Sequence, residues 1–296
     1  VVNNSNVERM VIAKVDGSGA VQWTKTYGDT YTEAYALAEF GDAVVAVGRS
    51  YANSQYDGYL LRAAKADGAV VWEKQAHKRL PQASLTKLMT ALLLLEQDRL
   101  EDVAVVSKAA TRETGTRLGI KLGEHFRVID LLAATLLLSA NDACHVLADH
   151  MSGSEQTFVE RMNQRATELG LLNTRFRNAC GHDAAQHYSS VHDLALLARE
   201  LLKHRQVFPL TSQTRLSINT IEGTQYTVTN SNALIGRYAG ARGLKTGYTA
   251  KAGKCLVAFA RRGKHEVLLV MLHGKDRWWD AADILDLAFE HARLPH

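Results

Sequence analysis

Cysteine is scarce in this chain: Cys144, Cys180 and Cys255 are the three in 296 residues. None stands in a C-x-x-C pair, and three scattered thiols are too few for a disulfide framework. Their expected role is as buried thiols that pack like small apolar side chains. Long apolar runs are lacking too. The longest, Leu131 to Leu138, is far short of the roughly 20 residues that cross a bilayer, so no membrane span is expected. There is no block of Lys or Arg, and a net charge of +4 is small for this size, which argues against a nucleic-acid partner. Neither a signal peptide nor an initiating Met is present, so the chain reads as a mature or trimmed piece whose targeting segment is not legible.

What is present suits a folded, water-soluble protein. Hydrophobic residues make up 46% and charged ones 22%, enough for a real core. The length allows one large domain, or a medium one with a small one.

Residues 1–57 read as all-β. Met10 to Val15 and Val21 to Lys25 are strand-like around the turn Asp16-Gly17-Ser18-Gly19. Ala34 to Ala38 and Ala43 to Gly48 offer two more strands around Gly41-Asp42. The run Ala20-Val21-Gln22-Trp23-Thr24-Lys25 returns 49 residues later as Ala69-Val70-Val71-Trp72-Glu73-Lys74. A period near 50 with short strands resembles a propeller blade, which must dock on something because it cannot bury its own faces. A β extension with one coincidental echo is the plainer alternative. The hairpin spanning 59–73 either closes this blade or opens the next domain. The second is favoured, because His77-Lys78-Arg79-Leu80-Pro81 leads straight on to Ser84.

Residues 58–296 read as the main domain. Helices are expected from Ser84 through Leu95, over Val128 to Leu138, from Asp142 to His150, over Phe158 to Leu169 and over Val191 to Leu202. From about 206 the pattern turns to strands, with Tyr226–Thr229, Gly243–Tyr248, Lys254–Arg261 and Glu266–His273, and Trp278 to Ala292 closes as an amphipathic helix. The expected fold is α+β: an antiparallel sheet built from both chain ends, flanked by helices.

Three short patterns carry chemistry. In Ser84-Leu85-Thr86-Lys87 the hydroxyl and the amine share a helix face and can meet. A neutral lysine there can take the serine proton and make it a nucleophile. Ser139-Ala140-Asn141 interrupts a Leu-rich helical run; taken alone it is a cap. A second such triplet, Ser217-Ile218-Asn219, lies in a polar strand-like region and is discounted. Lys245-Thr246-Gly247 supplies a cation, a hydroxyl and a residue that lets backbone approach a ligand.

In this order the three match the motif set of penicillin-recognising serine enzymes. The chain resembles the low-molecular-mass penicillin-binding proteins, the D-alanyl-D-alanine peptidases of bacterial cell-wall metabolism, from about Tyr59 to Ala292. The resemblance extends through Pro81 to Thr90, Leu138 to Ala143, Leu169 to Phe176, His187 to Ser190 and Gly243 to Thr249. It implies a β-lactamase/transpeptidase-like fold with an all-helical subdomain. It also implies an acyl-enzyme on Ser84, Lys87 as base, Ser139 as proton relay and Asn141 holding the substrate amide and orienting Lys87. The N–H groups of Ser84 and Tyr248 would form the oxyanion hole, while Lys245, Thr246 and Thr249 receive the terminal carboxylate. Burial and the Lys245 charge are both expected to hold Lys87 neutral.

The implied substrates are peptidoglycan stem peptides in a periplasmic or other extracytoplasmic space, with β-lactams as covalent inhibitors and no metal or cofactor. Carboxypeptidase is the first reading and endopeptidase the second. A β-lactamase would need a deacylating base, and no E-x-x-L-N pattern stands between the second and third motifs; Glu168 lies in an ordinary helix. A β-lactam-sensing or wall-binding module is the remaining alternative. One departure from the family pattern is the stretch Asn178-Ala179-Cys180-Gly181-His182, where a proline and a Gly-Leu are common. Ending at His296, the chain looks like the short, soluble endopeptidase branch or a trimmed piece.

Overall fold

Leu88 to Leu95 carries no polar face, and the helix it forms is buried on every side. In the computed structural model this is α1 (Lys87–Leu95), entered through a 3-10 turn at Ala83–Thr86. A helix apolar all round belongs at the centre of a domain, and α1 packs against α2 (Val128–Leu137), α3 (Asn141–Ser152), α4 (Glu155–Glu168) and α5 (Val191–Leu201). The structure describes the backbone of residues 10–15, 21–27, 32–40, 43–50, 76–274 and 276–291, and the side chains of 76–274 and 276–289.

In residues 1–57 the four expected strands are formed. β1 (Met10–Val15) pairs antiparallel with β2 (Val21–Tyr27), and β3 (Thr32–Phe40) with β4 (Ala43–Ser50), as two separate ladders. The second copy of the repeat and the hairpin at 59–73 lie outside the described residues.

β5 (Val103–Val105) and β6 (His125–Arg127) form a short ladder that leads into α2. The Leu-rich run breaks where Ser139-Ala140-Asn141 interrupts it: α2 stops at Leu137, Ser139 takes a φ of +70°, and Asn141 opens α3. Two helix starts follow their capping chemistry, since Ser154 accepts from the Thr157 N–H and Ser190 from the Asp193 N–H. The region after 206 does not turn straight to strands. A short helix, α6 (Val207–Thr211), comes first, then β7 (Arg215–Asn219) paired with β8 (Gln225–Thr229). The discounted triplet Ser217-Ile218-Asn219 lies on β7 with Ser217 and Asn219 exposed.

β9 (Ala241–Thr249), β10 (Gly253–Arg262) and β11 (His265–Gly274) form an antiparallel sheet in the order β11-β10-β9. Both faces are covered, so the strands are near-continuous apolar runs. Leu256, Ala258, Ala260, Leu269 and Met271 meet α7 (Arg277–His291), while Cys255, Val257, Phe259, Leu268, Val270 and Leu272 join the core under α1. The fold is α+β, as expected.

The cysteine expectation is corrected in part. Cys144 of α3 and Cys180 are joined in a disulfide with a Cα–Cα distance of 5.9 Å, and only Cys255 is a free buried thiol. Thirty-six residues of sequence separate the two, and nothing in that spacing announces that both end up behind Lys87.

Candidate active site

The 3-10 turn brings the first pair together. Lys87 Nζ lies 3.0 Å from Ser84 Oγ, 2.7 Å from Asn141 Oδ1 and within hydrogen-bonding distance of the Cys180 carbonyl. Lys87 is wholly buried, whereas Ser84 keeps partial access to solvent. Burial draws the Lys87 amine down to about 7, against the upward pull of the Glu113 and Asp142 carboxylates. A neutral amine has two N–H donors and one lone pair. Asn141 Oδ1 and the Cys180 carbonyl accept the two donors, which leaves the lone pair for the Ser84 hydroxyl.

Asn141 is fixed at both ends. Its Nδ2 donates to the Thr114 carbonyl at 2.6 Å and its backbone N–H to that of Thr116 at 2.8 Å. The next residue, Asp142, is buried and accepts from the N–H groups of Leu118 and Gly119 at 2.9 and 2.8 Å, holding the 114–120 loop beside the site. Ser139 lies two residues before Asn141, 8% exposed, and no hydrogen bond joins its hydroxyl to Ser84 or Lys87 among the described residues.

β9 carries the third pattern along the other side. A Cβ on Gly247 would meet Ala83 Cβ at 3.2 Å and the Gln82 carbonyl at 3.2 Å, so glycine is what lets β9 lie against the turn bearing Ser84. Lys245 is 1% exposed, and its Nζ donates to the Thr246 carbonyl at 3.0 Å. Burial first, then the charges of Lys87 and Arg277, pull its amine well below the ordinary lysine value. Burial, as expected, is the largest cause at Lys87, with two carboxylates opposing it, and repulsion between the two lysines disfavours charging both at once. Thr246 Oγ1 lies 2.7 Å from Ser231 Oγ, and Ser231 donates to the Leu137 carbonyl at 2.9 Å, tying β9 to the end of α2. Tyr248 is 66% exposed at the mouth of the site, and Thr249 donates to Asp183 at 2.8 Å.

Several participants carried little sequence signal of their own. Gly181 has a φ of +92°, and a Cβ there would sit 2.1 Å from the Ala83 carbonyl oxygen, so the 178–182 loop packs directly on the peptide that precedes Ser84. Arg277, at the start of α7, donates to the Gly247 and Cys255 carbonyls at 2.9 and 3.1 Å, and its buried Nε has no partner among the described residues. Asp142 had one available sign, its place directly after Asn141.

A hydroxyl paired with a buried amine, an amide holding that amine and a second buried amine on the facing strand are groups that can take an acyl group from a carboxylate-bearing substrate. A family model described as peptidase S11, D-alanyl-D-alanine carboxypeptidase, matches residues 57–276. The chain belongs to this family.

Among relatives of the family, the D-alanyl-D-alanine carboxypeptidase DacF of Bacillus subtilis is 36% identical over 230 residues, 75% of this chain and 59% of DacF. DacB2 of Mycobacterium tuberculosis is 33% identical over 217 residues, 71% of this chain and 74% of DacB2. The chain spans only 59% of DacF and 54% of the Escherichia coli DacC, little more than half of these curated relatives. Among solved structures, the Streptomyces K15 DD-transpeptidase aligns with a TM-score of 0.73 at 29% identity over 78% of this chain and 96% of that one. A D-alanyl-D-alanine carboxypeptidase from M. tuberculosis aligns with a TM-score of 0.74 at 30% identity, over 79% and 92%.

Proposed function

We propose that the chain is a serine D,D-peptidase that hydrolyses D-alanyl-D-alanine bonds of peptidoglycan peptides through an acyl-enzyme on Ser84. The observation that carries this reading is the hydrogen bonding of Lys87. Both donors of the neutral amine are engaged by Asn141 and Cys180, so its lone pair faces the serine. Ser84 attacks the carbonyl between two D-alanines as Lys87 takes its proton. The backbone N–H groups of Ser84 and Tyr248 receive the oxyanion, where one such donor is worth about 3 kcal/mol of barrier. Ser139 passes the proton to the leaving amine, while Asn141 holds the substrate amide. The terminal carboxylate docks at Lys245 with Thr246 and Thr249, and restores the charge that burial disfavours on Lys245. The Arg277 guanidinium, whose charge acts on Lys245, adds positive potential there. Water then releases the acyl group.

Carboxypeptidase is the first assignment and endopeptidase on cross-links the second, because both use one acyl-enzyme and differ in the amine that leaves. β-Lactams acylate the same serine in this reading. The Cys144–Cys180 disulfide supports an oxidising, extracytoplasmic or periplasmic setting. The boundary near residue 57, with 58–296 as the peptidase domain, is supported by the start of the family match.

Incubation with a labelled penicillin and with a D-Ala-D-Ala peptide tests the assignment. Acylation, slow deacylation and release of D-alanine are expected, all lost in Ser84→Ala. Rapid penicillin hydrolysis points instead to a β-lactamase. Acylation with no peptide turnover points to a sensor.

A further inference from the structure

Beside the acylation site, Glu113, His145 and Glu155 place one donor atom each within 4.8 Å of one another. They arrive on separate elements. Glu113 follows the 3-10 turn Ala110–Arg112, His145 lies on α3 one turn beyond Asn141, and Glu155 opens α4. All three are half-buried.

His145 is oriented as a ligand ring would be. Its Nδ1 faces Glu113 at 2.7 Å, and its Nε2 lies 3.5 Å from Asp149, which is itself held by Ser107 Oγ at 2.8 Å. A carboxylate on the far side of the ring is the usual partner of a metal-bound histidine, because it fixes tautomer and orientation. Glu155 is anchored by the Ala179 N–H at 2.9 Å, and His182 brings a second imidazole 2.6 Å from the other oxygen of Glu113. Even with both rings protonated, Glu113, Glu155 and Asp149 leave the cluster net negative. One imidazole nitrogen with carboxylate oxygens suits zinc or a neighbouring transition ion. Donors around a zinc ion stand roughly 3.4 Å apart, so rotation of the two Glu side chains closes the site.

We propose that Glu113, His145 and Glu155 bind a divalent transition-metal ion of the zinc type, with His182 beside it. The ion takes no part in acyl transfer. It clamps three segments that border Ser84: the one whose Thr114 carbonyl holds Asn141, the helix that Asn141 opens, and the Ala179–Cys180 segment whose carbonyl accepts from Lys87. The inference does not rest on the proposed reaction, and binding is read without it.

Calorimetric titration of the whole chain with Zn2+, after treatment with EDTA, tests the site. His145→Gln and Glu155→Gln are the site variants. His125→Gln, which removes half of an exposed pair with Glu222 outside the cluster, is the control. One ion per chain is expected for the wild type and the control, with affinity weakened about tenfold or more in each site variant. No saturable binding, or equal affinity in all four proteins, overturns the proposal. Should a site variant misfold, wild-type crystals grown with Zn2+ decide: an anomalous peak among the three side chains supports the site, and peaks only elsewhere overturn it.

Discussion

At the scale of single residues, the proposed role of Lys87 as base makes its protonation the expected control on the rate. Its amine must be neutral to accept the Ser84 proton, and with a value of about 7 roughly a tenth is neutral at pH 6. The rate constant for acylation by a labelled penicillin is therefore expected to rise with pH, reach half its maximum near 7 and level off above. Glu113→Gln removes a charge that pulls the amine upward, so in EDTA-treated protein the midpoint moves to lower pH; a midpoint that stays put or rises disproves the coupling. Gly181 makes a second prediction. Alanine there must displace the Ala83–Ser84 peptide or its own loop, and at φ +92° the substitution is strained whatever room appears. A nucleophile shifted by about 1 Å loses on the order of 100-fold in rate. Gly181→Ala is expected to acylate at least that much more slowly, and near wild-type acylation would show that the packing does not set the Ser84 position.

At the scale of elements, the disulfide joins α3 to the loop whose carbonyl takes a hydrogen bond from Lys87. A bridge that closes 36 residues removes about 4 kcal/mol of unfolded-state entropy in the chain-entropy account. Cys144→Ala/Cys180→Ala is expected to lose stability of that order in urea unfolding, and reductant should lower the wild-type midpoint while leaving the double variant unmoved. These elements also show what the sequence makes legible. The break between α2 and α3 was readable because Ser139 and Asn141 are poor interior residues in a Leu-rich run. The meeting of Ser84 and Lys87 was readable because it is a local helical contact. α6 was not, since Val207-Phe208-Pro209-Leu210-Thr211 has the β-branched and proline content of extended chain, and its helical turn is held by burial. The disulfide, the Gly181 contact and the Arg277 donors depend on which distant segments pack together, and no local pattern encodes that.

At the scale of the whole molecule, acid couples to the fold through His187. This imidazole is 5% exposed, set between Thr86 of the Ser84 turn and the backbone at Arg177. Its Nδ1 accepts from the Arg177 N–H at 2.9 Å and its Nε2 lies 2.8 Å from Thr86 Oγ1, so the ring is neutral with its proton on Nε2. Burial pushes its value down to about 4, below the 6.5 of the unfolded chain. Between those two values the unfolded state binds a proton that the folded state refuses, so stability falls as pH drops from 6.5 and the loss is complete below 4. That difference corresponds to about 3 kcal/mol. Glu113, held near 2 by two imidazoles despite burial, extends the acid loss below 4.5, whereas His145, raised by Glu113 and Asp149 against its burial, acts in the opposite sense, its contribution fading as pH rises. His187→Gln isolates one of these. The variant is less stable at pH 7, where it loses the histidine's packing, but it has no ring to protonate. Urea unfolding of both proteins from pH 7 to 4 should show the stability gap between them shrinking by about 3 kcal/mol. A gap that is constant across this range would mean that His187 does not link the fold to acid.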